Sequence, residues 1–223
     1  MTVTVTADMV MSLDGYIAGT GHSVANPAGH GADRIGGWIH AQSSWRERSG
    51  MTGGEADQDS DIMREWFETT GAVVMGRHMY DSGADFWGED PPFRAPVFVL
   101  TNRPGSTLVK EGGTSFTFVT DGIHSALDRA KAVSGGRSVD IAGGADTVQR
   151  YLRARLVDEL QLHVIPTLLG AGLRLFDNLG TDTHDLEPVR VVDTPGATHV
   201  KYRVLKWRRR KPAPGHDLAA VMY

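Results

Sequence analysis

Short, uninterrupted apolar runs punctuate this chain. Ala72-Val73-Val74-Met75 and Val97-Phe98-Val99-Leu100 are four residues long, and Val139-Asp140-Ile141-Ala142 repeats the run around a single aspartate, the pattern of strands buried on both faces. Val3 to Met11 is β-branched and ends at Ser12-Leu13-Asp14-Gly15, a strand running into a turn. Ser115 to Thr120 reads as a further strand, and Leu160, Leu162 and Val164 mark another. Between these runs the period changes to that of helices. From Asp61 to Thr70, Ile62, Met63, Trp66 and Phe67 share a face, with Asp59 or Ser60 available as the cap. From Ile123 to Val133, Ile123, Leu127 and Ala130 point inward, and Gly143-Gly144 opens a helix through Tyr151 and Leu152. Two late strands, Leu186 to Asp193 and Thr198 to Lys206, flank the hairpin signal Pro195-Gly196. The order predicts an α/β fold with a mostly parallel central sheet, flanking helices on both faces and an antiparallel C-terminal edge.

Residues 19–58 break the pattern. They are rich in glycine and polar groups and too long for an ordinary connection, which marks a functional excursion, such as a lid. Within them Trp38, Ile39 and Trp45 suit a helix. Residues 1–207 are expected to form one domain, followed by a basic tail, 208–223, that contains Arg208, Arg209, Arg210 and Lys211. The tail is read as a solvated extension. With a net charge of −4 and no aromatic interleaving, the chain has no expected nucleic-acid partner. It has no cysteine, which excludes disulfides, thiolate metal sites and a cysteine nucleophile. No apolar run is long enough for a membrane helix, and the first residues lack the signature of a secretory signal, so a cytoplasmic location is expected.

Three turns carry candidate chemistry, because each leaves the C-terminal end of a buried strand, where open α/β sheets bind ligands. Gly76-Arg77-His78 offers a close backbone approach, a helix start and a permanent cation. Thr101-Asn102-Arg103 offers hydroxyl, amide and guanidinium donors. Ala142-Gly143-Gly144-Ala145-Asp146-Thr147 again opens a helix on glycine. Neither the Walker A motif nor GxGxxG is present, and each turn alone is also what ordinary structure would supply.

Taken together, Val73 to Tyr80, Val99 to Gly105 and Ile141 to Val148 resemble the dihydrofolate-reductase-like superfamily. Ser12 to Ala18, with Asp158 to Leu162, Pro166 to Gly172 and Leu175-Phe176, is most similar to the C-terminal reductase domain of the bifunctional riboflavin-biosynthesis deaminase/reductase. The likeness runs from about residue 3 to 206 and lapses across 19–58. It implies a reductase that takes hydride from NADPH to a heterocyclic or small carbonyl substrate, of the 5-amino-6-(5-phosphoribosylamino)uracil reductase type. The cofactor would lie on Ala18, Gly76, Arg77, His78, Thr101, Asn102, Arg103, Ala142, Gly143, Gly144, Ala145 and Thr147, with a cis peptide between Gly143 and Gly144. Met11 and Trp66 would lie on the substrate side, with Asp14 and Asp61 as the candidate catalytic carboxylates. A homodimer joined through the late strands and the Leu168 to Gly172 loop is also implied.

The departures are specific. Met79 stands where folate reductases place threonine, and Asp61 is one residue closer to Arg77 than a gapless match requires. Asp14 is equally suited to forming the Asp-Gly turn, and Asp61 to offsetting a helix terminus. Two other functions remain open, a true dihydrofolate reductase and a non-catalytic nucleotide-binding dimer. Asp57, Asp59, Asp61 and Glu68 have calcium-loop spacing, but Ile62 occupies the position that needs glycine. The nine histidines show no metal spacing and read as scattered single residues. No metal is expected.

Overall fold

The computed structural model describes residues 2–206; the basic run from Arg208 to Lys211 lies outside the described residues. In chain order the elements are β1 (Val5–Ser12), β2 (Tyr16–Ala18), α1 (Asp33–Ala41), α2 (Ser43–Arg48), α3 (Gln58–Thr69), β3 (Thr70–Gly76), α4 (Arg77–Trp87), β4 (Pro96–Leu100), β5 (Leu108–Val109) and β6 (Ser115–Val119). Then follow α5 (Ile123–Val133), β7 (Ser138–Gly143), α6 (Ala145–Arg153), β8 (Glu159–Ile165), β9 (Leu173–Arg174), β10 (Leu186–Asp193) and β11 (Thr198–Val204). Nine strands form one sheet in the order β10-β11-β8-β1-β7-β3-β4-β6-β5, while β2 and β9 pair separately.

The strands from β8 across to β6 are mutually parallel. The expected antiparallel edge is present as β11 and β10, and the short β5 adds a second one beyond β6. The uninterrupted apolar runs have the predicted cause, burial on both faces. Val74 and Ile141 pack with Leu127, Val148 and Tyr151 of α5 and α6. Val73 and Met75 turn to the other face, where Met79, Tyr80 and Trp87 of α4 meet them. Phe116 anchors that second layer at 2% exposure, stacked on Trp87 and edge-on to Tyr80 and Phe93. This aromatic cluster fixes the helix that begins at Arg77.

The 19–58 excursion is more regular than its composition suggests. It holds α1 and α2, separated by the extended backbone of Gln42 (φ −70°, ψ 132°), whose buried amide donates to the Trp38 carbonyl oxygen at 3.1 Å. Helix α3 starts at Gln58, earlier than its apolar face implies, because Asp57 is the cap and accepts from the Ser60 N–H at 3.2 Å. Asp59 and Ser60, the caps expected from sequence, are instead buried. The segment with calcium-loop spacing is thus largely helix α3. No described helix is long and apolar enough to cross a membrane.

Candidate active site

Parallel register aligns the C-terminal ends of adjacent strands. Gly76 lies opposite Leu100, Leu100 opposite Val119, and Met75 opposite Gly143. The chain leaving each strand therefore turns at one edge of the sheet, bordering a cleft of about 620 Å³, ample for a nucleotide.

Three helices begin at this cleft, α4, α5 and α6, and each has a glycine N-cap: Gly76, Gly122 and Gly144. None of the three is capped by its own side chain. Their first-turn N–H groups are thus free of side-chain acceptors, and the partial positive ends of three helices converge on one space. Glycine has different causes at two of these positions. A Cβ on Gly76 would stand 2.6 Å from the Thr147 hydroxyl, so close packing excludes it. A Cβ on Gly144 would meet no protein atom within 4 Å, because that position opens outward. The peptide between Gly143 and Gly144 is cis, as the resemblance implied.

Cations complete the cradle. Arg77 and Arg150 line the cleft, and Arg77 lies over the rings of Tyr80 and Phe118. Asp81, one turn along α4, accepts from Arg77 Nε at 2.6 Å and from Arg103 at 2.8 Å. Burial works against the Asp81 charge, but the two guanidinium donors outweigh it and hold the carboxyl below its usual range. The ionised Asp81 thereby holds Arg77 in place at the cleft and ties Arg103 to the same carboxylate.

Of the expected cofactor residues, Gly76, Arg77, His78, Thr101, Asn102, Gly144, Ala145 and Thr147 line the cleft. Ala18, Arg103, Ala142 and Gly143 do not. Ala18 is buried in the β2–β9 pair, and Arg103 reaches the site through Asp81. Sequence reasoning missed Thr120, Gly122, Ile123 and Arg150, which also line it. The signal was available for the first three, since Ser115 to Ile123 repeats the strand–glycine–helix pattern used to find the other turns.

The candidate catalytic residues sit apart from the cleft lining. Asp14 accepts from the Ser12 hydroxyl at 2.6 Å and from the N–H groups of Leu169 and Gly170 at 3.1 and 2.7 Å. These bonds, that from Ser12 foremost, hold its carboxyl at about 2. At neutral pH Asp14 therefore has no proton to give, and its bonds tie the first turn to the loop after β8. Asp61 is exposed on α3; the acid that this helix turns toward the sheet is Asp59, at 2% exposure. Met11 is half-buried against the core that holds Met9, whose methyl group approaches Gly143. Trp66 lines a separate small cavity of about 40 Å³ with Thr6, Asp8, Gln161 and Lys201. The histidines are not all scattered: His163 and His199, on adjacent strands, are buried in contact with each other.

Asp140, wholly buried on β7, is held well above the usual carboxylate range, by burial first and then by the charge of Asp8. A folded carboxyl that keeps its proton above about pH 4, where an unfolded aspartate releases it, makes folding take up a proton. Its stabilising contribution is thus complete below that pH and declines as pH rises through the raised native value. Asp140→Asn is expected to gain thermal stability relative to the wild type as pH increases. A melting-temperature difference that stays constant with pH would contradict this assignment.

Comparison with known proteins identifies the fold. The dihydrofolate reductase of Enterococcus faecalis, solved in complex with NADP(H), shares the fold, with a TM-score of 0.51 at 14% identity over 91% of this chain and 97% of that one. A protein of Shewanella sp. PV-4 named for riboflavin biosynthesis superposes with a TM-score of 0.65 at 23% identity, covering 92% of this chain and all of that one. In sequence, the uncharacterized protein YwjB of Bacillus subtilis is 29% identical over 119 residues, which is 53% of this chain and 66% of that protein, just under two thirds of its length. The family model described as the RibD C-terminal domain matches residues 3–200. With nearly all of its described length matched, and with the strand-end glycines in place, this chain belongs to the RibD C-terminal domain family.

Proposed function

We propose that the protein is an NADPH-dependent reductase of the 5-amino-6-(5-phosphoribosylamino)uracil reductase type, acting on a heterocyclic or small carbonyl substrate. The observation that carries this reading is the convergence of three glycine-capped helix N-termini on one cleft that Arg77, held by Asp81, also lines. A dinucleotide with a further phosphate is the polyanion such a cradle fits. The reduced nicotinamide supplies the hydride. This chain's own groups bind and orient: first-turn N–H groups of α4, α5 and α6 take phosphate oxygens, and Arg77 adds charge-assisted donors. The open side of Gly144 leaves room for the cofactor beside α6. NADPH oxidation, followed with ribosylamino-pyrimidine phosphates, dihydrofolate and small aldehydes in parallel, tests the reading. Turnover is expected with the pyrimidine or carbonyl class; turnover with dihydrofolate alone would make the protein a folate reductase.

The same reading includes a homodimer. Strand β10 ends the sheet with Leu186, Val189 and Val191 exposed, and Leu168 is 70% exposed on the loop after β8. A second copy of the chain is the occupant proposed for this edge. Sedimentation at micromolar concentration is expected to give twice the 24.2 kDa chain mass; a monomer would reject the dimer.

A further inference from the structure

Between α1, α3 and the sheet, four titratable side chains form one line of hydrogen bonds. Asp8 Oδ1 meets His163 Nε2 at 2.7 Å, His163 Nδ1 meets His199 Nδ1 at 2.6 Å, and His199 Nε2 meets Asp59 Oδ1 at 2.9 Å. Side-chain exposure along the line is 14%, 4%, 1% and 3%. Strand register explains the meeting: His163 and His199 are directly opposed on β8 and β11, with Val10 of β1 beside His163.

Three hydrogen bonds need three protons. Two neutral imidazoles supply only two, one each, so the chain holds one more. Asp59 is ionised, because burial, which opposes its charge, is outweighed by donors from Thr194, Trp38 and His199. With Asp59 ionised, the extra proton lies along the Asp8–His163–His199 part of the line. Burial disfavours a charge held on His199 alone; an imidazolium in the pair donates to a carboxylate from one nitrogen and to the other ring from the second.

The excursion rests on this pair. The Trp38 ring of α1 stacks on His163 at 5.1 Å and lies tilted against His199 at 5.6 Å, while its N–H donates to Asp59 Oδ2 at 2.7 Å. An indole face over an imidazolium is favourable. Helix α2 is tied to the next residue of α3, Ser60, whose hydroxyl accepts from the Ser44 N–H and meets the Ser43 hydroxyl, both at 2.9 Å. We propose that the Asp8–His163–His199–Asp59 chain is a proton-binding site that holds one proton on its imidazole pair and couples the docking of α1 and α2 to it. Removing the proton sets two Nδ1 lone pairs against each other and leaves the two carboxylates uncompensated. Adding a second sets N–H against N–H. Docking is thus tightest over an intermediate pH range. Other titratable and charged groups nearby are Asp140 of β7, which faces Asp8, and Glu65, Glu159, Arg190 and Lys201, which share with Asp8 a small cavity.

The test is a pH titration of the full chain by ¹⁵N NMR of the histidine side chains, with hydrogen exchange of residues 33–48 measured in the same samples. The expected result is one imidazolium shared between His163 and His199 near neutral pH, lost in a single step. At that step, exchange across 33–48 is expected to rise at least tenfold beyond its intrinsic pH dependence, while 123–133 on the opposite face shows no step. Asp140→Asn should keep the step, and His199→Gln should abolish it. Two neutral imidazoles throughout, a step without faster exchange in 33–48, or a step that disappears in Asp140→Asn would each overturn the proposal. The wild-type titration decides the matter even if His199→Gln fails to fold.

Discussion

Replacing Gly144 by valine is expected to abolish dinucleotide binding while leaving the fold intact. Gly144 has φ −71° and ψ −165°, extended backbone that is open to L-residues. Its Cβ would meet no protein atom within 4 Å, so it displaces nothing in the core. The new side chain must then occupy the cleft itself, in front of the first N–H groups of α6. A ligand displaced by one or two ångströms forfeits several hydrogen bonds at about 1.5–3 kcal/mol each when charged. Affinity is therefore expected to fall by at least about a hundredfold. Fluorescence titration with NADPH reads the loss, and a melting curve like that of the wild type shows that it is local. Gly76 would be a poorer choice, because its Cβ would collide with Thr147 and confuse misfolding with lost binding. Wild-type affinity in Gly144→Val would remove α6 from the site.

Arg77→Ala is the second large effect. The guanidinium uses Nε on Asp81 and lies over two aromatic rings, so it is held in place before any ligand arrives. A preorganised, partly buried cation loses little freedom on binding an anion. Removing it is expected to weaken NADPH by about 1–3 kcal/mol, roughly 5- to 150-fold. Asp81 keeps Arg103 as a partner in the variant, so the fold should tolerate the change. NADH, with one phosphate fewer, is expected to lose less. Equal titration curves for wild type and variant would place Arg77 outside the binding site.

The parallel sheet was legible in the sequence because strands buried on both faces must be apolar throughout, as Ala72 to Met75 and Val97 to Leu100 are. The strand-end glycines were legible for a related reason: each stands where the chain leaving a buried strand enters a helix. What stayed hidden depended on contacts across long sequence separations. Asp59 is buried because Trp38 and His199, 21 and 140 residues away, reach it. His163 and His199 become partners only through the β8–β11 register. Asp14 was open between turn former and catalyst, and only the fold brings Leu169 and Gly170 to its carboxylate. The helices of the excursion were obscured by its glycines, and Asp57 by a cap that begins α3 before its apolar face does.

Calorimetric titration of the wild-type chain with NADPH and with NADH tests the central claim most directly. The cleft built on Gly76, Gly122, Gly144 and Arg77 predicts saturable binding of one NADPH per chain, tighter than NADH. No saturable binding of either nucleotide, or equal affinity for both, would contradict it.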